Sequence, residues 1–418
     1  MDNFIYLDTA RVGRPSQTTF LAATDSFAMA AEEGGSAYFD RFLRQGLSDC
    51  PMWMQSRYYG LNSWRGIGGL KADLQSLIGG TDDLPVLLAN RTAQLMELAA
   101  RLFYPRCHNV LTCDLGWPAY QTILETAAIR HAGCVTVLPL HEMVFGGRAT
   151  ADEVVEAIVE TYVGQNCDGL FLPAVSNLGV KLPIPEIVQR IEAVGIVRFV
   201  VVDGAQEFCH TATELASDYC DLYLAGCHKW LAGHHPMGVG FYGRRRSREF
   251  IDTVLASLVE AGIVDDPLLR FAEQIESGRT NTYKETVNLA GLFTGQAAVA
   301  EAIESNRPHA NPAAREANRE LVARAVSEAG WQAEEIDPDL RSAILLARSE
   351  RNSVRQADPA ILRSAFRDCG VGLTAYDNGR VRLSIPKAPM CDVQVEQVRN
   401  AFYSSLLKPI FRTFTLCT

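Results

Sequence analysis

The sequence predicts an α/β fold: a mostly parallel seven-stranded sheet between helices, followed by a smaller α+β C-terminal domain. Three observations carry this. Seven short, nearly continuous apolar runs recur between residues 85 and 243. Stretches of helical period separate the earlier runs. A polar segment with two prolines, ESNRPHANPAARE, then marks a junction near 304–316.

The apolar runs are PVLLA (85–89), NVLTC (109–113), CVTVLPL (134–140), GLFLPAV (169–175), VRFVVVD (197–203), DLYLAG (221–226) and MGVGFYG (237–243). Strands that are apolar on both faces belong to a sheet covered on both sides. Leu95, Leu98, Ala99 and Leu102 share one face of a helix over 92–104. Val154, Val155, Ile158 and Val159 do so over 152–163. Beyond the junction come a helix over 314–329, a strand near 343–347, a helix over 359–369 and the strand RVRLSIP. The expected organisation is an N-terminal arm (1–20), a large domain (21–300) and a small domain (301–418).

The bulk properties exclude several classes. With 418 residues and 48% hydrophobic content, the chain can bury a large core. A formal charge of −10 argues against a broad nucleic-acid footprint. The run Arg244-Arg245-Arg246 with Arg248 reads as a solvated face. Eleven cysteines are scattered without CxxC pairs or zinc spacing, so they read as reduced, mostly buried thiols of a cytoplasmic protein, and no metal site is expected. No signal peptide is visible, and no apolar run reaches the ~18 residues of a membrane span.

The chemistry centres on Lys229. VVVDGAQ ends a strand on Asp203, and the next strand, DLYLAG, runs into Cys227-His228-Lys229. Ligands in parallel sheets bind beyond the carboxyl ends of the strands. A carboxylate and a lysine at neighbouring strand ends suit pyridoxal 5'-phosphate. The amine condenses with the aldehyde, and the carboxylate pairs with the ring nitrogen, making the ring an electron sink.

Eight segments appear in order: LDTARVG, ANRTAQLMELAA, CDLGWPAY, VSNLGVKLPI, VVDGAQ, GCHKWLAG, ESGRTNT and GRVRLSIP. In this succession the chain resembles the class V aminotransferases among the fold-type I pyridoxal-phosphate enzymes. That group includes cysteine desulfurases, kynureninase and isopenicillin N epimerase-like proteins. The resemblance covers nearly the whole chain and assigns roles. Thr92 and Ala93, at a helix start, bind the cofactor phosphate through backbone N–H groups. Trp117 stacks on the pyridine ring; packing in the core beside Pro118 is the alternative. Asn177 and Gln206 hydrogen-bond the phenolic oxygen, and His228 lies on the phosphate side. Desulfurases carry Ser-Gly-His-Lys where this chain has Gly-Cys-His-Lys, so one phosphate-binding hydroxyl is missing. Thr280 or Thr282 would replace it by reaching the phosphate of a neighbouring copy, which makes the expected partner a second chain in a homodimer. Arg382 grips the substrate α-carboxylate. Period two puts Arg382 on the face of its strand away from the small-domain core.

The resemblance implies a small amino acid or amino-acid conjugate as substrate. Amino transfer is the leading reaction, with β-elimination of a C–S bond or decarboxylation as alternatives, and a non-catalytic binding protein as a further one. Desulfuration is disfavoured, because no cysteine lies between Gly370 and Arg382. His234 and His235 either line the pocket or serve as turn residues.

Overall fold

The computed structural model describes residues 4–34, 39–81, 83–213, 215–276, 287–306 and 312–407. The chain divides into two compact units. The larger comprises Val12–Asn177 and Lys181–His309; the smaller comprises Met1–Arg11, Leu178–Val180 and Ala310–Thr418. Strand β1 (Ile5–Tyr6) opens the chain and belongs to the smaller unit.

In the larger unit seven strands form one sheet: β2 (Val86–Ala89), β3 (Asn109–Cys113), β4 (Cys134–Leu138), β5 (Gly169–Pro173), β6 (Phe199–Asp203), β7 (Leu222–Gly226) and β8 (Gly238–Tyr242). Their order is β2-β8-β7-β6-β5-β3-β4. Neighbours from β7 to β4 pair in parallel, whereas β8 pairs antiparallel with both β7 and β2. Strand β8 alone therefore runs against the rest, and the carboxyl ends of the other six share one edge. Every residue of β5 to β8 is buried. This is the two-sided cover that their unbroken apolar runs require. Strand β4, at the edge, is only partly covered.

Helices fall where the periodicity puts them. Thr92–Phe103 buries Leu95, Met96, Leu98, Ala99 and Leu102. They meet Phe171, Phe199, Val201, Leu222 and Leu224 of the sheet in one core. Each fully buried side chain of this size contributes roughly 1.5–3 kcal/mol. Ala151–Gly164 starts on a capping box: Glu153 N–H donates to Thr150 Oγ1 while Thr150 N–H donates to the Glu153 carboxylate.

The basic run departs from the solvated-face expectation. Arg244 is only 2% exposed and pairs with the fully buried Asp221 and with Glu192. Arg245 and Arg248 do lie at the surface, against Asp83 and Asp252. A buried carboxylate needs a counter-charge, and the turn after β8 delivers the first arginine of the run to it.

The smaller unit holds an antiparallel sheet of order β12-β13-β10-β9, built from β9 (Gln332–Ala333), β10 (Ile344–Arg348), β12 (Thr374–Tyr376) and β13 (Arg380–Ser384). Helices Pro312–Glu328, Pro359–Asp368 and Asp392–Leu407 accompany it. Trp331, Phe366 and Phe402 pack edge-to-face in its core, and the Trp331 indole N–H donates to the Phe402 carbonyl. Strand β1 pairs in parallel with β11 (Val371–Gly372). Residues up to Arg11 therefore group with the C-terminal part of the chain, where the sequence suggested a separate arm over 1–20. A two-residue strand has no periodicity from which its partner can be read.

Candidate active site

The six co-directional strands bring the candidate residues to one edge. Trp117 follows β3, Asn177 follows β5, Asp203 closes β6 with Gln206 just beyond, and His228 and Lys229 follow β7. Thr92 follows β2, and its hydroxyl donates to the Ala225 carbonyl of β7 at 2.7 Å, across the intervening β8.

Asp203 is 7% exposed, and Ala205 N–H donates to its Oδ1 at 3.0 Å. Burial pushes its carboxyl above the ordinary carboxylate range. The Lys229 ammonium, the largest opposing influence, and the Ala205 N–H both favour the ionised form. Lys229 is thus the cation that Asp203 feels. The lysine loop is tightly drawn: Gly13 N–H donates to the His228 carbonyl at 2.7 Å, and a Cβ on Gly13 would lie 2.0 Å from the Lys229 oxygen. Ala232 (φ 65°) and His234 (φ 60°) adopt left-handed conformations that cost non-glycine residues roughly 1–2 kcal/mol each. Backbone strain of this kind gathers at functional loops.

Gln206 is held by a clamp that the sequence reading missed. Trp230, next to Lys229, donates its indole N–H to Gln206 Oε1 at 2.8 Å. The His210 ring stacks on Trp230 at 3.7 Å, and its Nδ1 lies 2.6 Å from the Gln206 carbonyl. An indole only donates, so Trp230 fixes the amide oxygen and directs the amide NH2 elsewhere.

His228 is pushed down to about 4, first by burial and then by the Lys229 and Arg91 charges. Its Nδ1 is buried with no hydrogen-bond partner among the described residues. The imidazole is therefore neutral at pH 7. Because its folded value lies below the unfolded ~6.5, the unfolded chain binds the proton first as pH falls. Stability from this group is complete above about 6.5 and drains away as pH drops towards 4. In the cofactor-free protein, His228→Gln should flatten this part of the urea midpoint against pH between 7 and 4.5. An unchanged slope would remove His228 from the account.

At the helix start, the Thr92 hydroxyl proton is already given to Ala225. The groups there that could receive an anion are first-turn backbone N–H groups, which at a helix start lack i−4 acceptors. A Cβ on Gly238 would sit 2.6 Å from Thr92 N, so only glycine lets β8 pass this close. Asp266, 3% exposed, accepts the Asn90 N–H and braces the same turn.

Trp117 is 50% exposed at the head of helix Pro118–Arg130, so it is not packed in the core. Asn177 is half-buried in the turn after β5. Thr280 and Thr282 lie outside the described residues. His234 is exposed and His235 half-buried. Among the described residues no cluster of ligating side chains could hold a metal ion, no helix is long and apolar enough to cross a membrane, and every cysteine is a free thiol. Arg382, in the smaller unit, departs from the surface side of a strand: it is 5% exposed, with Val381 and Leu383 fully buried on the opposite face. Both faces of β13 are covered, one of them by the N-terminal segment.

The family model for class-V aminotransferases matches residues 65–302, more than half of the chain. The chain belongs to the class V aminotransferase family. That family is pyridoxal-phosphate dependent. Isopenicillin N epimerase from Amycolatopsis lactamdurans is 35% identical over 135 residues; the match spans 32% of this chain and 31% of the epimerase. In fold, the chain is similar to cysteine desulfurase CsdA from Escherichia coli (TM-score 0.67, 15% identity, 97% of this chain and 95% of that one). It is also similar to ureidoglycine-glyoxylate aminotransferase from Bacillus subtilis (TM-score 0.61, 14% identity, 83% and 86%). These likenesses establish the seven-stranded fold-type I architecture. The residues present fit the family's cofactor: an orphaned buried His228 nitrogen, a helix start approached by glycine, a fixed Gln206 amide and a buried carboxylate beside a lysine.

Proposed function

We propose that this class V family member acts on a small amino acid or amino-acid conjugate and transfers its amino group. The observation that carries the reading is the buried Asp203 under the charge of Lys229 at the common strand edge. Pyridoxal phosphate, when bound, supplies the electron sink for charge left at the substrate α-carbon. The chain's own residues do the rest. Lys229 Nζ holds the cofactor and then moves the α-proton. Asp203 keeps a proton on the ring nitrogen. First-turn N–H groups at Thr92 and Ala93, with His228, hold the phosphate side. Gln206 and Asn177 donate to the phenolic oxygen, and Trp117 covers a ring face and excludes water. The resemblance alone assigns Arg382 the substrate carboxylate. It also supplies the homodimer in which Thr280 or Thr282 reaches the phosphate of the neighbouring copy. The free thiols suit a reducing compartment such as the cytoplasm.

A second reading, epimerisation at the α-carbon, is favoured by the 35% identity to isopenicillin N epimerase. Desulfuration has less support, since Cys369 caps helix Pro359–Asp368 and no cysteine follows before Arg382. Incubation in deuterium oxide with a panel of amino acids, with and without a keto-acid acceptor, separates the readings. Amino transfer yields a keto acid matched by an aminated acceptor. Deuterated, inverted amino acid with no keto acid would replace transfer by epimerisation. No exchange at Cα with any substrate would sink both.

A further inference from the structure

The N-terminal segment LDTARVG takes part in the family resemblance, yet of its residues only Gly13 touches the lysine loop. Within the smaller unit the backbone of its first residues, Leu7–Ala10, is bonded to strands β11 and β13. Leu7 N–H donates to the Gly372 carbonyl and Ser384 N–H to the Leu7 carbonyl, both at 2.7 Å. Ala10 N–H donates to Ser384 Oγ at 2.8 Å. Ser384 and Arg382 share one face of β13 by period two, and this is the face that the segment covers. It brings Asp8 to Arg382. Both are buried, at 7% and 5% exposure, with Thr374 between them at 9%. The Thr374 hydroxyl donates to Asp8 Oδ1, and one Arg382 guanidinium nitrogen lies 3.5 Å from Thr374 Oγ1 and 3.7 Å from Asp8 Oδ1. With its proton committed to Asp8, the hydroxyl turns its lone pairs towards the guanidinium. The guanidinium carbon also stands 5.9 Å from the centroid of the Tyr376 ring.

A buried guanidinium is costly without a counter-charge, and a side chain that must meet a carboxylate gains from being held in place beforehand. We propose that Asp8 is a positioning residue for Arg382: with Thr374 it anchors the guanidinium in the orientation that receives the substrate carboxylate. This rests on the reading that Arg382 binds that carboxylate. Burial pushes the Asp8 carboxyl upward, while Thr374, Arg382 and Arg11 all favour its ionised form. The same contacts that orient Arg382 therefore also favour the ionised form of Asp8 against its burial. The loss of attraction caused by a neighbouring anion is outweighed by the fixed geometry, because a bidentate guanidinium contact depends on orientation as well as charge.

The test titrates the cofactor-loaded enzyme with L-alanine and with ethylamine, which lacks the carboxylate, reading the visible absorption band. Wild type should bind L-alanine more tightly than ethylamine. Asp8→Asn should weaken L-alanine about tenfold and leave ethylamine within about twofold, the effect of losing one hydrogen-bonded contact to a charged group. Thr374→Val, nearly isosteric, should act in the same direction by about threefold, which covers the case in which Asp8→Asn does not fold. In an Arg382→Ala background, Asp8→Asn should add nothing. Unchanged L-alanine binding in both single variants overturns the proposal, and so does equal weakening of the two ligands, which is what general structural damage gives. If wild type shows no preference for L-alanine, or Arg382→Ala keeps it, the assignment of Arg382 itself falls. That failure is distinct from failure of the Asp8 variants while Arg382→Ala abolishes the preference.

Discussion

In the Lys229→Ala variant the visible band near ~420 nm expected of the lysine-bound cofactor should be absent, and turnover should fall on the order of 10⁴-fold, the upper range for loss of a positioned proton carrier. No other variant should cost as much, because on the proposed reading Lys229 both tethers the cofactor and moves the α-proton. The fold should survive. The lysine sits on a turn held by main-chain bonds, with Ala232 N–H on the Lys229 carbonyl and Gly233 N–H on the Cys227 carbonyl, and these do not use the side chain. Absorbance and circular dichroism of wild type and variant check both halves. A variant that keeps the band after reconstitution would move the tether to another residue and undo the reading.

Asp203→Asn comes second in size. The variant should keep the cofactor and lose on the order of 10²–10³ in kcat, the scale of removing one fixed electrostatic partner of the reacting system. Its effect on stability has the opposite sign. Burial raises the Asp203 carboxyl more than Lys229 and the Ala205 N–H lower it. An acid whose folded value is raised contributes stability only below its unfolded value of about 3.9, and this is lost as pH rises through the folded value. At pH 7 the cofactor-free protein therefore carries a penalty at this position, which asparagine relieves. Thermal unfolding without cofactor should show a higher Tm for Asp203→Asn than for wild type. A lower Tm together with unimpaired kcat would show that Asp203 is a structural carboxylate. The expected pattern is that of a site which holds a charge at some cost to the empty fold.

How much of this was legible in the sequence differs from element to element. The sheet strands were legible because both faces are buried: FVVVD and LYLAG are apolar throughout, and such runs bounded by turns leave few other structures. The helix over Thr92–Phe103 was legible from its period. The reversal of β8 was not, since an apolar run carries no direction. Lys229 and Asp203 stood out because each follows a strand, and parallel strands open on one edge.

The partners of these residues were harder to read. Trp230 stands beside Lys229 in the sequence, yet nothing in HKW shows that its indole N–H ends on Gln206 or that His210 stacks against it. The alternation in RVRLS put Arg382 opposite Val381 and Leu383 but could not show that a second cover, Leu7–Ala10, buries it. Asp8 was visible only as a letter in LDTARVG. The burial of Arg244 against Asp221 was hidden in the same way, behind a run of like charges that resembles a solvated surface.

The sequence by itself determined the layers of the larger unit and the strand ends at which the candidate lysine and carboxylate lie. Periodicity and strand-end position are local properties, written in consecutive residues. Only the tertiary structure decided which strand is reversed, which arginines are buried, and which side chains hold Gln206 and Arg382 in place. Those outcomes depend on pairings between residues far apart in the chain, such as Asp8 with Arg382, whose free energy arises only when distant segments close together and exclude water from the groups they join.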